Sequence, residues 1–258
     1  MLRVMRTVGF GNSDLTFPAA FSRDGSILGN ASSRGSLSGY KGGVYVSHDF
    51  ENGGFGPYSY PWTQYPDDVV VVDDPTGRTG KVAWMHYVRS SLGASKDVNR
   101  ALFWARVVGY GQTIFFKGDF YIPHMTPGTE YNNRKLVYFF GGPGADSFGV
   151  VGVWGTGMRF EGGAYNHTIT VNNIFQINWD QWYTLEIEVG VNSAYNVQDG
   201  VIRVWVDGTQ VLQRTNMWWL VYDGSYYLQN VGFGYQTQED GLYDEVRYWD
   251  NVSFAPSR

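Results

Sequence analysis

From about residue 44 onward, apolar and polar residues alternate with period two, the spacing of half-buried β-strands. The clearest stretch is Trp179–Thr215. There Leu185, Ile187 and Val189 share one face, and Thr184, Glu186 and Glu188 the other. Beyond a polar Asn/Ser/Gly loop, Ile202, Val204 and Val206 alternate with Arg203 and Trp205. Asp207-Gly208 marks a tight hairpin, because glycine accepts the positive φ such turns need. The pattern predicts three consecutive antiparallel strands over about 183–191, 201–206 and 209–214. Strands are also predicted at 69–72 and 81–88, around the turn Asp74-Pro75-Thr76-Gly77. Others fall within 100–108, 112–123, 134–142, 150–160, 225–236 and 244–255. No stretch shows a convincing helical apolar period. The chain reads as all-β, a two-sheet antiparallel sandwich.

Composition agrees: 34 glycines supply turns, and 17% aromatic residues suit pleated, half-buried surfaces. A chain of 258 residues is long enough for one large sandwich with a real core. Residues 1–22 hold scattered apolar side chains, and 23–43 are rich in Ser and Gly. They read as an extended N-terminal arm (1–43) ahead of a sandwich over 44–258. Such an arm could pack on a neighbouring subunit or lie as a surface loop. A net charge of −5 without a run of one sign gives no nucleic-acid footprint. The absence of cysteine removes disulfides, thiolate metal sites and thiol nucleophiles. The N-terminus lacks the apolar core of a signal peptide, and no segment approaches the roughly 20 apolar residues of a membrane span.

Alternation also sorts candidate chemistry. On 113–122, Ile114, Phe116, Phe120 and Ile122 share a face, opposite Phe115, Lys117, Asp119 and Tyr121. Trp104 and Arg106 lie together on 101–108, while Lys135 alternates in step with Val137 and Phe139. His48, His86, His124 and His167 are scattered, without zinc-ligand spacing. The glycine-rich stretches at 141–149 and 155–157 lack the Lys-Ser/Thr ending of a phosphate loop.

Trp182, Thr184 and Glu186, then Asn192, Asp199-Gly200 and Val204-Trp205-Val206-Asp207-Gly208 with Val211, form an ordered pattern. It resembles the concanavalin A-like jelly rolls of polysaccharide lyases and laminin-G-type domains. Asp49-Phe50-Glu51-Asn52-Gly53 resembles the opening of that class, and Tyr248–Val252 its closing strand. The resemblance spans about 44–256. It implies that one sheet is concave and that its outer face forms a glycan groove. If the strands above build that sheet, the groove is lined by Trp104, Arg106, Lys117, Asp119, Tyr121, Glu186, Glu188, Arg203 and Trp205. Aromatic faces would stack on pyranose rings, and charged groups would bond hydroxyls. It further implies a structural Ca²⁺ held by Asp49, Glu51 and Asp250, hard oxygen ligands stapling the chain ends.

For catalysis the resemblance is incomplete. Phe115–Tyr121 is similar to a "Y-F-K-A-G-x-Y" strand of alginate-type lyases, which implies Tyr121 as acid or base, with Lys117, Arg106 and Arg203 neutralising a uronate carboxylate. The companion "R-S-E-L-R" is absent, and "Q-I-H" becomes Gln176-Ile177-Asn178. A laminarinase-type "E-x-D-x-x-E" would need a third acid where Val191 follows Glu186 and Glu188. The leading expectation is therefore a non-enzymatic, carbohydrate-interacting or structural surface module, at a virion surface as a decoration or fibre-associated protein, or extracellular. Its partners would be a glycan and, through the arm, a second copy or a virion neighbour, with no nucleic acid and no membrane. The alternative is a polysaccharide lyase on an acidic polymer, with a glycoside hydrolase behind it. The same sandwich hosts all these functions.

Overall fold

The computed structural model describes residues 45–58, 69–87, 102–124, 133–141, 147–164, 166–220, 228–234 and 245–258. The expected arm, 1–43, lies outside the described residues. Every described element is a strand. One sheet contains β1 (Val46–His48), β2 (Val69–Asp73), β3 (Lys81–Tyr87), β5 (Thr113–Tyr121), β10 (Trp182–Gly190), β11 (Gly200–Val206), β12 (Thr209–Met217) and β14 (Glu245–Ala255). The other contains β4 (Leu102–Val108), β6 (Asn133–Gly141), β7 (Ser147–Trp154), β8 (Gly157–Ala164), β9 (Ile169–Gln176) and β13 (Leu228–Phe233). Their orders are β12-β11-β10-β5-β14-β3-β2, with β1 also on β14, and β4-β13-β6-β7-β8-β9. All pairs are antiparallel, and the two sheets make the expected sandwich.

Register explains the core. Leu185, Ile187 and Val189 pair with Val206, Val204 and Ile202, so their apolar sets share one face. On the other side of β10, Phe116 pairs with Ile187 and Phe120 with Tyr183. All are buried in one cluster with Phe139, Val151, Phe160 and Phe233 of the opposing sheet. Fully burying each such side chain is worth about 1.5–3 kcal/mol. The predicted hairpin is present: Asp207 and Gly208 have φ of 49° and 77°, the paired positive values of a two-residue turn.

Three features depart from simple alternation. The stretch 150–160 is two strands, β7 and β8, split by a turn at Gly155. β9 had no strand prediction, because an edge strand with mixed exposure carries little period-two signal. In β6 a register shift falls between Lys135 and Val137. It buries both Leu136 and Val137 and sets Lys135 opposite Gly152 and Tyr138 opposite Val150. A bulge reverses alternation, so Lys135 leaves the face of Val137 and joins that of Tyr138.

The two sheets are also tied by charge. Arg134 on β6 and Arg247 on β14 both ion-pair with Glu245, at 2.9 and 2.6 Å. All three side chains are at most 2% exposed. Arg247 also donates to the Lys135 carbonyl at 3.1 Å, and the Arg134 guanidinium lies 4.8 Å from the Trp179 ring centre.

Candidate functional site

Seven of the nine expected groove residues stand on the outer face of the eight-stranded sheet. Register sets Glu186 opposite Lys117, Thr184 opposite Asp119 and Trp182 opposite Tyr121. Beyond β5, Ser253 faces Lys117, Asp250 faces Asp119 and Tyr248 faces Tyr121. Trp84 continues the last row across β3. An aromatic row therefore crosses the sheet. The Tyr121 ring is 5.5 Å from Trp182 and 5.8 Å from Tyr248, and the Arg78 guanidinium lies 4.4 Å from the Trp182 ring. Trp84 stacks on His86, two residues along the same strand, at 5.2 Å.

The charges on this face are matched. Lys117 lies 3.5 Å from Glu186, and Arg258 reaches the same carboxylate at 2.8 Å. Arg203 pairs with Glu188. Asp119 accepts hydrogen bonds from the Thr184 hydroxyl (2.7 Å) and the Asn251 amide (2.9 Å). Arg78 lies 3.1 Å from Asp250 and 3.7 Å from Asp119. Burial pushes the Asp250 carboxyl up to about 6, and the neighbouring charges of Asp119 and Glu51 add to it against the pull of Arg78 and the Asn251 N–H. Burial, with Asp180 behind it, also raises Tyr121. Its hydroxyl donates to Asp180 at 3.3 Å. Tyr121 thus keeps its proton at neutral pH and is suited to donate rather than abstract one.

Three expectations need correction. Trp104 and Arg106 belong to β4, in the six-stranded sheet, and Trp104 pairs with the core residue Val231. The nine residues do not share a sheet, and the lyase set Tyr121, Lys117 and Arg106 is not assembled on one. Alternation ranks residues within a strand but does not say which strands adjoin. Trp205 is no open platform: it is 6% exposed, clustered with Phe115 and Ala255, and covered by Arg258 at 4.3 Å. The metal set does not converge either. Asp49 accepts from the Glu51 N–H, Glu51 from the Lys81 N–H at 2.9 Å, and Asp250 is already held by a guanidinium. Among the described residues no three carboxylates or imidazoles come together as a metal set. These residues do not fit a calcium ion as they are placed.

The outer face of the six-stranded sheet offers a different set. Across β6, β7 and β8, Lys135 pairs with Gly152 and Gly152 with Arg159; Tyr138 pairs with Val150 and Val150 with Glu161. The Lys135 amine lies 5.8 Å from the Tyr138 ring centre. Arg159 lies 4.7 Å from the ring of Trp154, which is 54% exposed. Arg159 and Glu161 are 3.7 Å apart, a loose contact. Two cations, a phenol and an open indole thus stand together with one carboxylate. Sequence reasoning missed this set because a bulge, invisible to a period-two count, creates it. The only warning was a lysine in step with core residues.

No protein-family model matches the chain, and no curated protein matches it. Solved structures do. An endo-β-1,4-glucuronan lyase from the fungus Trichoderma reesei superposes with a TM-score of 0.67 at 12% identity, over 83% of this chain and 96% of that one. The fold is one that polysaccharide lyases share. The alginate lyase vAL-1 from a Chlorella virus gives 0.60 at 15% identity, over 83% and 100%. The binding domain of botulinum neurotoxin serotype G also matches, at 0.52 and 10% identity, over 84% of this chain and 48% of that one. Identities this low speak for the fold alone.

Proposed function

We propose that this protein is a polysaccharide lyase acting on a uronate polymer at the outer face of its six-stranded sheet. The observation that carries the reading is the bulge in β6, which sets Lys135 beside Tyr138 and across Gly152 from Arg159. The lyase-bearing fold supports it. An anionic substrate needs positive charge not already neutralised. On the eight-stranded face Lys117, Arg203 and Arg78 each have a carboxylate partner, whereas on the six-stranded face Arg159 meets Glu161 loosely, at 3.7 Å.

Uronate elimination removes the proton at C5 and expels the oxygen at C4. Lys135 and Arg159 would hold the uronate carboxylate and stabilise charge growing on it as C5 loses its proton. The Tyr138 hydroxyl would carry the proton between C5 and the departing oxygen. Trp154 would stack on a neighbouring sugar ring. Incubation with alginate, glucuronan and heparin tests the reading, with the absorbance of the unsaturated product followed. A rise on one of them that Tyr138→Phe lowers by about 100-fold or more is expected. No rise on any uronate polymer would overturn it.

A second reading, a glycan-binding module without catalysis, is favoured by the aromatic row of Trp182, Tyr121, Tyr248 and Trp84. That row, with its charges internally matched, suits a neutral glycan. Binding of neutral polymers unaffected by Tyr138→Phe, together with no cleavage, would favour it.

A further inference from the structure

β9 and β12 are the edge strands of opposite sheets, and a cleft opens between them. It has two adjoining lobes of about 240 and 270 Å³. Ile169, Gln198, Asn216 and Met217 line both. One lobe ends on His167 and Trp218, the other on Arg214 and Thr170. No residue already proposed for catalysis lines either lobe.

The aromatic end is built before any ligand arrives. The His167 ring stacks on Trp218 at 5.1 Å with planes 22° apart. The Trp218 carbonyl accepts from the Ala164 N–H at 2.6 Å, and the Ala164 carbonyl from the His167 N–H at 2.9 Å. This approach depends on Gly163, whose φ is 128°; a Cβ there would stand 2.8 Å from the His167 carbonyl oxygen. The next residue, Trp219, is fully buried, and its indole donates to the Val201 carbonyl at 3.0 Å. The buried Asn192 side chain accepts from the Trp219 and Leu220 N–H groups and donates to the Leu220 carbonyl. Trp218 is therefore held on both sides, and ordering it costs a ligand little.

The polar end supplies charge and amides. Gln198 donates to the Asn216 carbonyl at 2.9 Å, which fixes its amide at the rim of the cleft. Arg214 is exposed and has no ion-pair partner among the described residues. A partly exposed indole beside amides, a hydroxyl and an unmatched guanidinium matches one class of ligand. A pyranose presents C–H groups to the indole and hydroxyls to the amides, and a uronate adds a carboxylate that a guanidinium binds through two parallel hydrogen bonds. Each lobe is smaller than the pockets of drug-sized ligands, which suits single rings.

We propose that this cleft is a second, non-catalytic carbohydrate site that holds a uronate unit of the polymer. Its ligand class rests on the lyase reading above. A long polymer that spans both sites binds more tightly than a short oligosaccharide that reaches one. The test uses the full chain and three measurements: affinity for glucuronan and alginate polymers by affinity electrophoresis, the cleavage rate on a short uronate oligosaccharide, and the indole N–H resonances on titration with a uronate disaccharide. Arg214→Ala is expected to weaken polymer binding by about ten-fold and leave the oligosaccharide rate unchanged. Trp218→Ala is expected to do the same and to identify the indole resonance that the disaccharide shifts. Arg214 is exposed on an edge strand, so its variant decides the matter if Trp218→Ala fails to fold. Polymer affinity equal to wild type in Arg214→Ala would overturn the cleft proposal while the lyase reading stands. Equal weakening with a neutral polymer would overturn the uronate assignment. No binding of any uronate polymer would overturn both.

Discussion

Asp250 shows how one residue's surroundings set a measurable property. Its carboxyl is raised to about 6 although a guanidinium touches it, because burial and the charges of Asp119 and Glu51 outweigh Arg78. The folded state therefore binds a proton more tightly than the unfolded chain, whose carboxyl has the ordinary value of 3.8. Stability then falls as pH rises between about 4 and 6. The loss is on the order of 1 kcal/mol once solvent screening at the rim is allowed for. Asp250→Asn is expected to flatten that part of the stability curve, as read by denaturant midpoints across the range. Glu245 is the opposite case. Glu245→Gln would remove a buried counter-charge that two buried guanidinium groups share, a change that costs about 3–5 kcal/mol. A drop in Tm of several degrees is expected, whereas Lys117→Ala, at a partly exposed lysine whose Glu186 partner also meets Arg258, should cost less than about 1 kcal/mol.

At the level of elements, legibility followed local regularity. β10, β11 and the start of β12 could be read from the sequence because the β10–β11 register runs without a shift and Asp207-Gly208 fixes the turn. Gly208→Ala should cost about 1 kcal/mol, because φ at this position is 77°. Unfolding midpoints would read that cost. β9 and the bulge in β6 were not legible. An edge strand needs no buried face along its length, and a bulge moves side chains between faces without changing composition. Of the candidate site, alternation gave the correct outward direction for Lys117, Asp119, Tyr121, Glu186, Glu188 and Arg203. It could not give the partners that neutralise them. Trp205 faces outward too, yet Phe115 and Arg258 bury it.

On the scale of the whole molecule, strand order decides what the sequence left open. β4 and β5 are consecutive in the chain but lie in different sheets, so Arg106 is separated from the sheet of Lys117 and Tyr121. The same order brings β6, β7 and β8 side by side and assembles Lys135 and Tyr138 of β6, Trp154 of β7 and Arg159 of β8. The fold itself is shared with lyases and with a toxin's binding domain. Activity must therefore be argued from the site: the proposed site places Lys135 and Arg159 on the six-stranded face, where Arg159 meets Glu161 at a loose 3.7 Å, whereas Lys117, Arg203 and Arg78 on the eight-stranded face each meet a carboxylate. The most direct measurement is the formation of unsaturated product from glucuronan and alginate by the wild-type chain, Tyr138→Phe and Tyr121→Phe side by side. Activity lost in Tyr138→Phe and kept in Tyr121→Phe is the expected result. Activity lost in Tyr121→Phe and kept in Tyr138→Phe would contradict it.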